Sequence, residues 1–384
     1  MVPNNPHEKL IARYRSYIFG LPDSEWLMPL MTLRYTVDEA EFLSRMPFMP
    51  HTMEQLVEKL RMPSDELLAR MAPLVAQGMI YQYQGRSGTR YAMADQVFAN
   101  YRMPGLLGRV DDWNRKLAPL LNRYYTHHLG ADIIGHPTKG LRTIPIAGTI
   151  EDRRAILPYE DILGFVDRET HFAVGHCQCR HRRNLDPDHE TCRHETETCL
   201  QFGRMAQYTA KYEIGRKITR EETLEILKSC ADAGLVHGIS NFKTGMDTIC
   251  NCCSCCCLFL ENIRLNPPAK RGHQPSNYQV HHNPKTCQSC GQCAQGCPMG
   301  AIEVRGLDET GLVGELERMP SESTPVFSYN PELCIGCGVC SHKCPTQSIK
   351  LVRRDGPEQD IPDDPKSAAM RLLTERSRDL SKIF

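Results

Sequence analysis

Hydrophobic positions in the first hundred residues recur at the three-to-four spacing of amphipathic helices, each behind a recognisable start signal. Thr36-Val-Asp-Glu39 has the form of a capping box ahead of Ala40, Phe42, Leu43 and Met46, and Thr52-Met-Glu-Gln55 repeats it ahead of Leu56 and Leu60. Ser64 is placed to cap a helix over 65–77, with Leu67, Leu68, Met71 and Leu74 turned inward and Gly78 as its stop. Pro73, inside that run, predicts a kink. The period then drops to two. MIYQYQ and TRYAM flank the turn sequence GRSG and predict a β-hairpin.

Further on, Asp112 to His127 reads as helical, GHPTKGLRTIPIAGT as turn-rich and extended, and LPYEDILGFVDRE as a short helix before the strand HFAVGH. Thr219-Arg-Glu-Glu222 caps another helix, ended by Gly234. NPPAKRGHQPSNYQVHHNP is a linker rich in Pro and Asn, and Asp364-Pro365 opens a C-terminal helix with Met370, Leu372, Leu373 and Leu380, expected to pack on its own chain. The helices and hairpin of residues 36–93 together resemble a winged helix-turn-helix domain. Its reading helix, SDELLARMAPLVAQ, sets Arg70 against Asp65 and Glu66, and the wing adds only Arg86 and Arg90. Phosphate contacts dominate DNA affinity, so protein docking or scaffolding is the better expectation.

Composition changes this picture in one respect. The 384 residues carry 46 basic and 46 acidic side chains, which excludes a global bias toward nucleic acid or anionic membrane. The 19 cysteines, however, all lie between 177 and 344. Thiols so localised, behind an N-terminus (MVPNNPHEKLIARYRSY) without an export pattern, point to metal or cluster ligation in a reducing cytoplasm. No apolar run approaches the length of a membrane span.

The segment from 283 is duplicated. NPKTCQSCGQCAQGCPMGAIEV aligns with NPELCIGCGVCSHKCPTQSIKL, 47 positions later, and each copy contains C-x2-C-x2-C-x3-C-P. Thiols two residues apart let one tight loop wrap several corners of a cubane; Gly291, Gly336 and Gly338 supply the backbone freedom, and Pro298 and Pro345 redirect the chain. The run resembles that of two-cluster bacterial ferredoxins. The resemblance implies that Cys287, Cys290 and Cys293 with Cys344 hold one 4Fe–4S cluster, and Cys334, Cys337 and Cys340 with Cys297 a second. It implies that AIEV and SIKL are strands pairing around the clusters. Zinc knuckles use paired C-x2-C and do not fit a run of four ending in Pro. The connection GLDETGLVGELERMPSESTP is longer than a minimal ferredoxin needs, is acidic, and reads as a surface flap or passive insertion.

Eleven cysteines remain: Cys177, Cys179, Cys192, Cys199, Cys230 and the six from 250 to 257. The stretch LPYED…CQCR…TCLQFG…GLVHGISN…ICNCCSCC is similar to the middle domain of a group of cytoplasmic 4Fe–4S proteins that also carry a ferredoxin module. Three readings stay open. Cys177, Cys179, Cys192 and Cys199, alone or mixed with Cys252, Cys253, Cys255 and Cys256, hold a further iron–sulfur cluster. They hold a structural zinc, with help from His176, His181 or His194. Or they form a reactive site that handles substrate. Alternation along NCCSCCC would send Cys253 and Cys255 one way and Cys252 and Cys256 the other, so only part of the run can ligate. Cys230 reads as core packing. Arg180, His181, Arg182 and Arg183 form a basic patch that is either a solvated loop or a dock for an acidic partner or anionic substrate.

The expected fold is α+β and multi-domain: a winged-helix-like unit (1–100), a cysteine-rich α/β middle domain (101–265), a two-cluster ferredoxin-like domain (278–352), and a C-terminal tail and helix (353–384). The expected function is electron transfer through two 4Fe–4S clusters, with one more iron–sulfur cluster or a zinc ion in the middle domain. The chain would serve as a ferredoxin-type carrier or an electron-input subunit of a cytoplasmic redox complex, its partners redox proteins or a larger oxidoreductase assembly. A redox-sensing DNA-binding regulator and an oxidoreductase with a catalytic middle site are the alternatives. Neither a G-x-G-x-x-G nor a G-x4-G-K-[ST] motif supports a bound nucleotide, so chemistry would depend on a partner.

Overall fold

Both capping boxes close. Thr36 accepts from the Glu39 N–H and Thr52 from the Gln55 N–H, while each N3 side chain accepts from the cap residue's own N–H. Each box contributes about 1 kcal/mol to a short helix. The computed structural model describes residues 5–85, 88–129, 135–260, 273–305 and 326–383. The helices that follow the caps run Val37–Arg45, Met53–Leu60 and Ser64–Ala76. The third differs in detail from expectation. Ser64 is its first helical residue, and Pro63 occupies the cap position without a side-chain bond. Leu68 is 51% exposed, because one step beyond buried Leu67 turns a side chain well off the inward stripe. Pro73 sits within the helix, and both it and Ala69, whose carbonyl it leaves unbonded, face solvent. The strands β1 (Ile80–Gly85) and β2 (Gly88–Met93) pair antiparallel, Ile80 opposite Met93. Arg86 lies outside the described residues.

The expected helix to His127 is divided: an α-helix over Asp112–Leu121, capped by Asp111, passes into a π-helical stretch over Asn122–Leu129. The middle of the chain is built on one sheet. Its strands are β3 (Leu141–Thr143), β4 (Phe172–His176), β5 (Glu197–Phe202), β6 (Arg216–Ile218), β7 (Val236–Ser240), β8 (Thr248–Cys252) and β9 (His273–Gln274), in the order β6-β4-β5-β8-β7-β3-β9. All neighbours are antiparallel except β3 and β9. β9 comes from the segment expected to be linker. Because side chains alternate along a strand, the sheet has two unlike faces. Val174, Leu200, Ile239 and Ile249 pack with Phe165 and Val166 on one. Cys199, Cys250 and Cys252 fall on the other, facing the core shared with the N-terminal helices.

The C-terminal repeat adds β10 (Tyr278–His282), β11 (Ile302–Arg305), β12 (Val326–Tyr329) and β13 (Ile349–Arg353). β10 pairs with β13 and β11 with β12, both antiparallel. AIEV and SIKL therefore each pair with the strand opening the other repeat rather than with one another. The acidic connection, 306–325, lies outside the described residues. The last helix, Pro365–Glu375, starts at an Asp364/Ser367 capping box and packs on its own chain: Leu372 and Leu373 are buried, and Arg378 Nε donates to the Tyr17 carbonyl at 3.1 Å. Leu380 is not on that helix; it is exposed in a separate turn, Leu380–Lys382. Among the described residues no helix is long and apolar enough to cross a membrane.

Candidate metal centres

The repeat folds into two loops of matching backbone. Gly291 and Gly338 hold left-handed conformations at the starts of the short helices Gln292–Gly296 and Val339–His342, with φ of 70° and 82°. Ser289 and Gly336, also equivalent, are left-handed with φ of 53° and 67°. These turns aim backbone N–H groups at sulfur: Ser289 N–H lies 3.4 Å from Cys287 Sγ and Gly336 N–H 3.3 Å from Cys334 Sγ, and after a separate left-handed turn at Gly300 the Ala301 N–H lies 3.2 Å from Cys297 Sγ. Such donors favour a thiolate over a thiol. One cavity is lined by Cys287, Cys290, Cys293 and Cys344. A second is lined by Cys297, Cys334, Cys337 and Cys340. Each wall takes three cysteines from one repeat and the fourth from the other.

A third cavity lies on the cysteine face of the large sheet, lined by Cys177, Cys179, Cys199, Cys250, Cys252, Cys253 and Cys257. Cys177 precedes the helix Gln178–Leu185, whose first turn carries Cys179, and the sheet register places Cys199 beside Cys250. Cys192, expected with Cys177, Cys179 and Cys199 or in a mixture with the 252–257 group, lies with the latter. Its sulfur lies 3.9 Å from Cys253 and 3.8 Å from Cys255, and Cys255 lies 3.6 Å from Cys256. All four of these sulfurs fall within 4.8 Å of one another. Strand alternation does not sort NCCSCCC as expected, because β8 ends at Cys252 and a turn over 254–256 gathers Cys253, Cys255 and Cys256 at one point. Cys252 joins Cys257 and His273 in a second tight, buried group. Among the described residues, His176, His181 and His194 join neither group. Cys230 is buried in the helix Arg220–Asp232, and burial pushes its thiol up to about 12. That suits packing.

The thiols lie close enough to share protons. Cys179 and Cys252 donate to Cys257 and bring it down to about 5. Cys199 and Cys252 lower Cys250, while Cys192, Cys255 and Cys256 lower Cys253. Guanidinium groups compensate the charge. Arg180 and Arg182, expected in a basic patch that is either a solvated loop or a dock, are 0% and 2% exposed. Arg180 donates to the Asn251 carbonyl at 2.8 Å and Arg182 to the Cys256 carbonyl at 3.1 Å. Burial alone would lower Arg180, but Cys177 and Cys253 outweigh it and raise it. Arg180 and Arg182 are thus an internal counter-charge to the cysteines, because their helix packs under the thiols instead of facing water. Tyr101 Oη donates to Cys179 Sγ at 3.1 Å, and half-buried Arg102 approaches Cys199 Sγ at 4.0 Å. Nothing in the sequence marks Tyr101 or Arg102, far from any cysteine. Cys250 is legible there, since it shares strand parity with Cys252.

An open basin separates the middle cysteines from the repeat. Cys192, Cys253, Cys255 and Cys256 line one side and Cys297 with Gln292 and Gln295 the other, with Arg193 and Lys343 among the residues between. Cys253 lines both the basin and the third cavity, and Cys297 both the basin and the second cavity.

Residues 286–348 match a family described as the 4Fe-4S dicluster domain. No curated protein matches the chain. The donor set fits the family's cofactor, with thiolates arranged around two cavities and backbone N–H groups directed at sulfur. A 4Fe–4S dicluster domain beside clustered cysteines suggests iron–sulfur electron transfer with redox partners.

Proposed function

We propose that the chain passes single electrons through two 4Fe–4S clusters, one held by Cys287, Cys290, Cys293 and Cys344, the other by Cys297, Cys334, Cys337 and Cys340. The observation that carries this reading is the pair of cavities, each walled by one quartet drawn across the repeat. When bound, such a cluster takes up and returns one electron at a time, at a potential set by hydrogen bonds to sulfur and solvent exposure. The chain supplies those settings. Cys287, Cys290, Cys293 and Cys344 are half-buried, whereas Cys334, Cys337 and Cys340 are buried. The first site is therefore the one a redox protein, or a larger oxidoreductase complex, would meet; the second faces inward.

The third cavity supports a further cluster in the middle region, with ligands drawn from Cys177, Cys179, Cys199, Cys250, Cys252 and Cys257. Cys253 lines both this cavity and the basin, and Cys297 lines both the basin and the second cavity, which supports a route between the two sites. On this reading residues 278–352 form a ferredoxin unit, 101–265 a cysteine-rich unit and 1–100 a winged-helix-like scaffold. Scaffolding suits the helix Ser64–Ala76, where Arg70 already pairs with Glu66 at 3.2 Å.

Anaerobic purification should yield iron and acid-labile sulfide in equal amounts, about eight or more of each per chain. The dithionite-reduced protein should give paramagnetic signals of interacting cubanes. Recovery of zinc without sulfide would overturn the proposal.

A further inference from the structure

The middle cysteines divide into two sets of different geometry, and the tighter one does not have the spacing of a cubane. A metal ion with four thiolates at about 2.3 Å holds its sulfurs on tetrahedral edges of about 3.8 Å. Around a cubane each thiolate binds a different iron at a different corner, so the sulfurs stand further apart and enclose a cavity, as the C-terminal quartets do. The Cys192, Cys253, Cys255 and Cys256 sulfurs instead close on one another, with separations of 3.9, 3.8 and 3.6 Å and all within 4.8 Å. Among the described residues, the eight cysteines of the repeat form no such group.

We infer that Cys192, Cys253, Cys255 and Cys256 bind a single, tetrahedrally coordinated metal ion, zinc by preference, at the edge of the basin. Four thiolates complete a closed shell of the structural kind, leaving no position for substrate. Among divalent ions that accept a tetrahedral thiolate set, zinc binds more tightly than iron. The ion would fasten two stretches that lack regular structure of their own. Cys192 sits in the loop between the helix Gln178–Leu185 and β5, its N–H held by Asn184 Oδ1 at 2.8 Å, while the other three lie at the turn after β8. These stretches are 61 positions apart in the chain at Cys192 and Cys253. Joining them fixes the wall of the basin that faces Cys297. The site is independent of the two-cubane reading, since it needs no sulfide and none of the repeat's cysteines.

The test uses the full chain, purified anaerobically with zinc and iron both supplied. Zinc-edge X-ray absorption of the intact protein should give four sulfur neighbours at about 2.3 Å, with one zinc per chain. Cys192→Ser and Cys255→Ser, chosen because both line the basin and not the third cavity, should each lose that zinc and keep iron, sulfide and the reduced-state paramagnetic signals. Loss of one iron without sulfide would equally support a mononuclear site, with iron as occupant. Loss of iron and sulfide together would overturn it, as would oxygen or nitrogen in the first zinc shell of the intact protein, or variants whose metal content is unchanged.

Discussion

The two loops of the C-terminal repeat carry the same cysteines at the same spacing and the same left-handed turns, and they sit in opposite surroundings. Around the second loop the chain closes in. Ile146 N–H donates to the Cys337 carbonyl at 3.1 Å, Ser276 Oγ to the Gly336 carbonyl at 2.8 Å, and Arg354 to the Cys334 carbonyl at 2.8 Å. In the first loop, Gln288 and Gln292 are exposed where the second has Ile335 and Val339, 1% and 0% exposed. A duplicated ligand motif therefore does not make duplicate sites. The thiolates fix what binds, and the residues between them fix whether the bound group faces solvent or the protein's own interior.

Exchanging those intervening residues should break the comparison most sharply. Ile335→Gln removes a buried side chain contributing about 2 kcal/mol and places an amide where no partner waits, for a total loss of about 4 kcal/mol. Gln288→Ile, on the exposed loop, should change stability by less than about 0.5 kcal/mol. Denaturant unfolding of the anaerobic holoprotein measures both. Equal losses would mean that the two loops are not differently buried in solution.

The backbone offers a smaller contrast at one equivalent pair. Gly336 has φ of 67°, and a Cβ there would run into Ser276 Oγ and the Tyr278 carbonyl. Gly336→Ala combines left-handed strain of about 1 kcal/mol with that collision, about 3 kcal/mol in all. Ser289 already carries a Cβ at φ of 53°, so Ser289→Ala should cost less than about 0.5 kcal/mol. A Gly336→Ala protein with unchanged unfolding and unchanged iron would remove the argument that close approach demands glycine.

Much of this contrast is legible in the amino-acid sequence. Ile335 and Val339 against Gln288 and Gln292 is a difference in hydropathy at matched positions, and the glycine at 336 against serine at 289 points the same way. Capping boxes at Thr36, Thr52 and Asp364 are equally readable, because the interacting groups lie within four residues. The middle site is not. Its partners come from segments far apart, Tyr101 and Arg102 from one, Cys192 from another, Cys250 to Cys257 from a third, and only tertiary packing brings them together. Arg180 and Arg182 in the basic run mislead for the same reason. Charge along a sequence signals solvent only where nothing buried needs neutralising, and thiols from other strands supply that need.

The weakest tie on the second loop sharpens the comparison at its edge. His342 Nε2 lies 2.7 Å from Asp232 Oδ1, and Lys343 Nζ donates to the Asp232 carbonyl at 3.1 Å, joining the loop to the end of the helix Arg220–Asp232. Positions 342 and 343 correspond to Gln295 and Gly296 in the first loop, which face the basin. Both side chains of the His342–Asp232 contact are partly exposed, so water and salt screen it. Asp232→Asn keeps the shape and the backbone carbonyl that Lys343 uses and removes only the charge, also weakening the pair with Lys228 at 2.6 Å. The expected loss is below about 1 kcal/mol at low salt and smaller still at high salt, with iron and sulfide unchanged. A larger, salt-independent loss accompanied by release of iron would place this contact among the supports of the buried site, and the second loop would then depend on its rim as well as on Ile335, Gly336 and Val339.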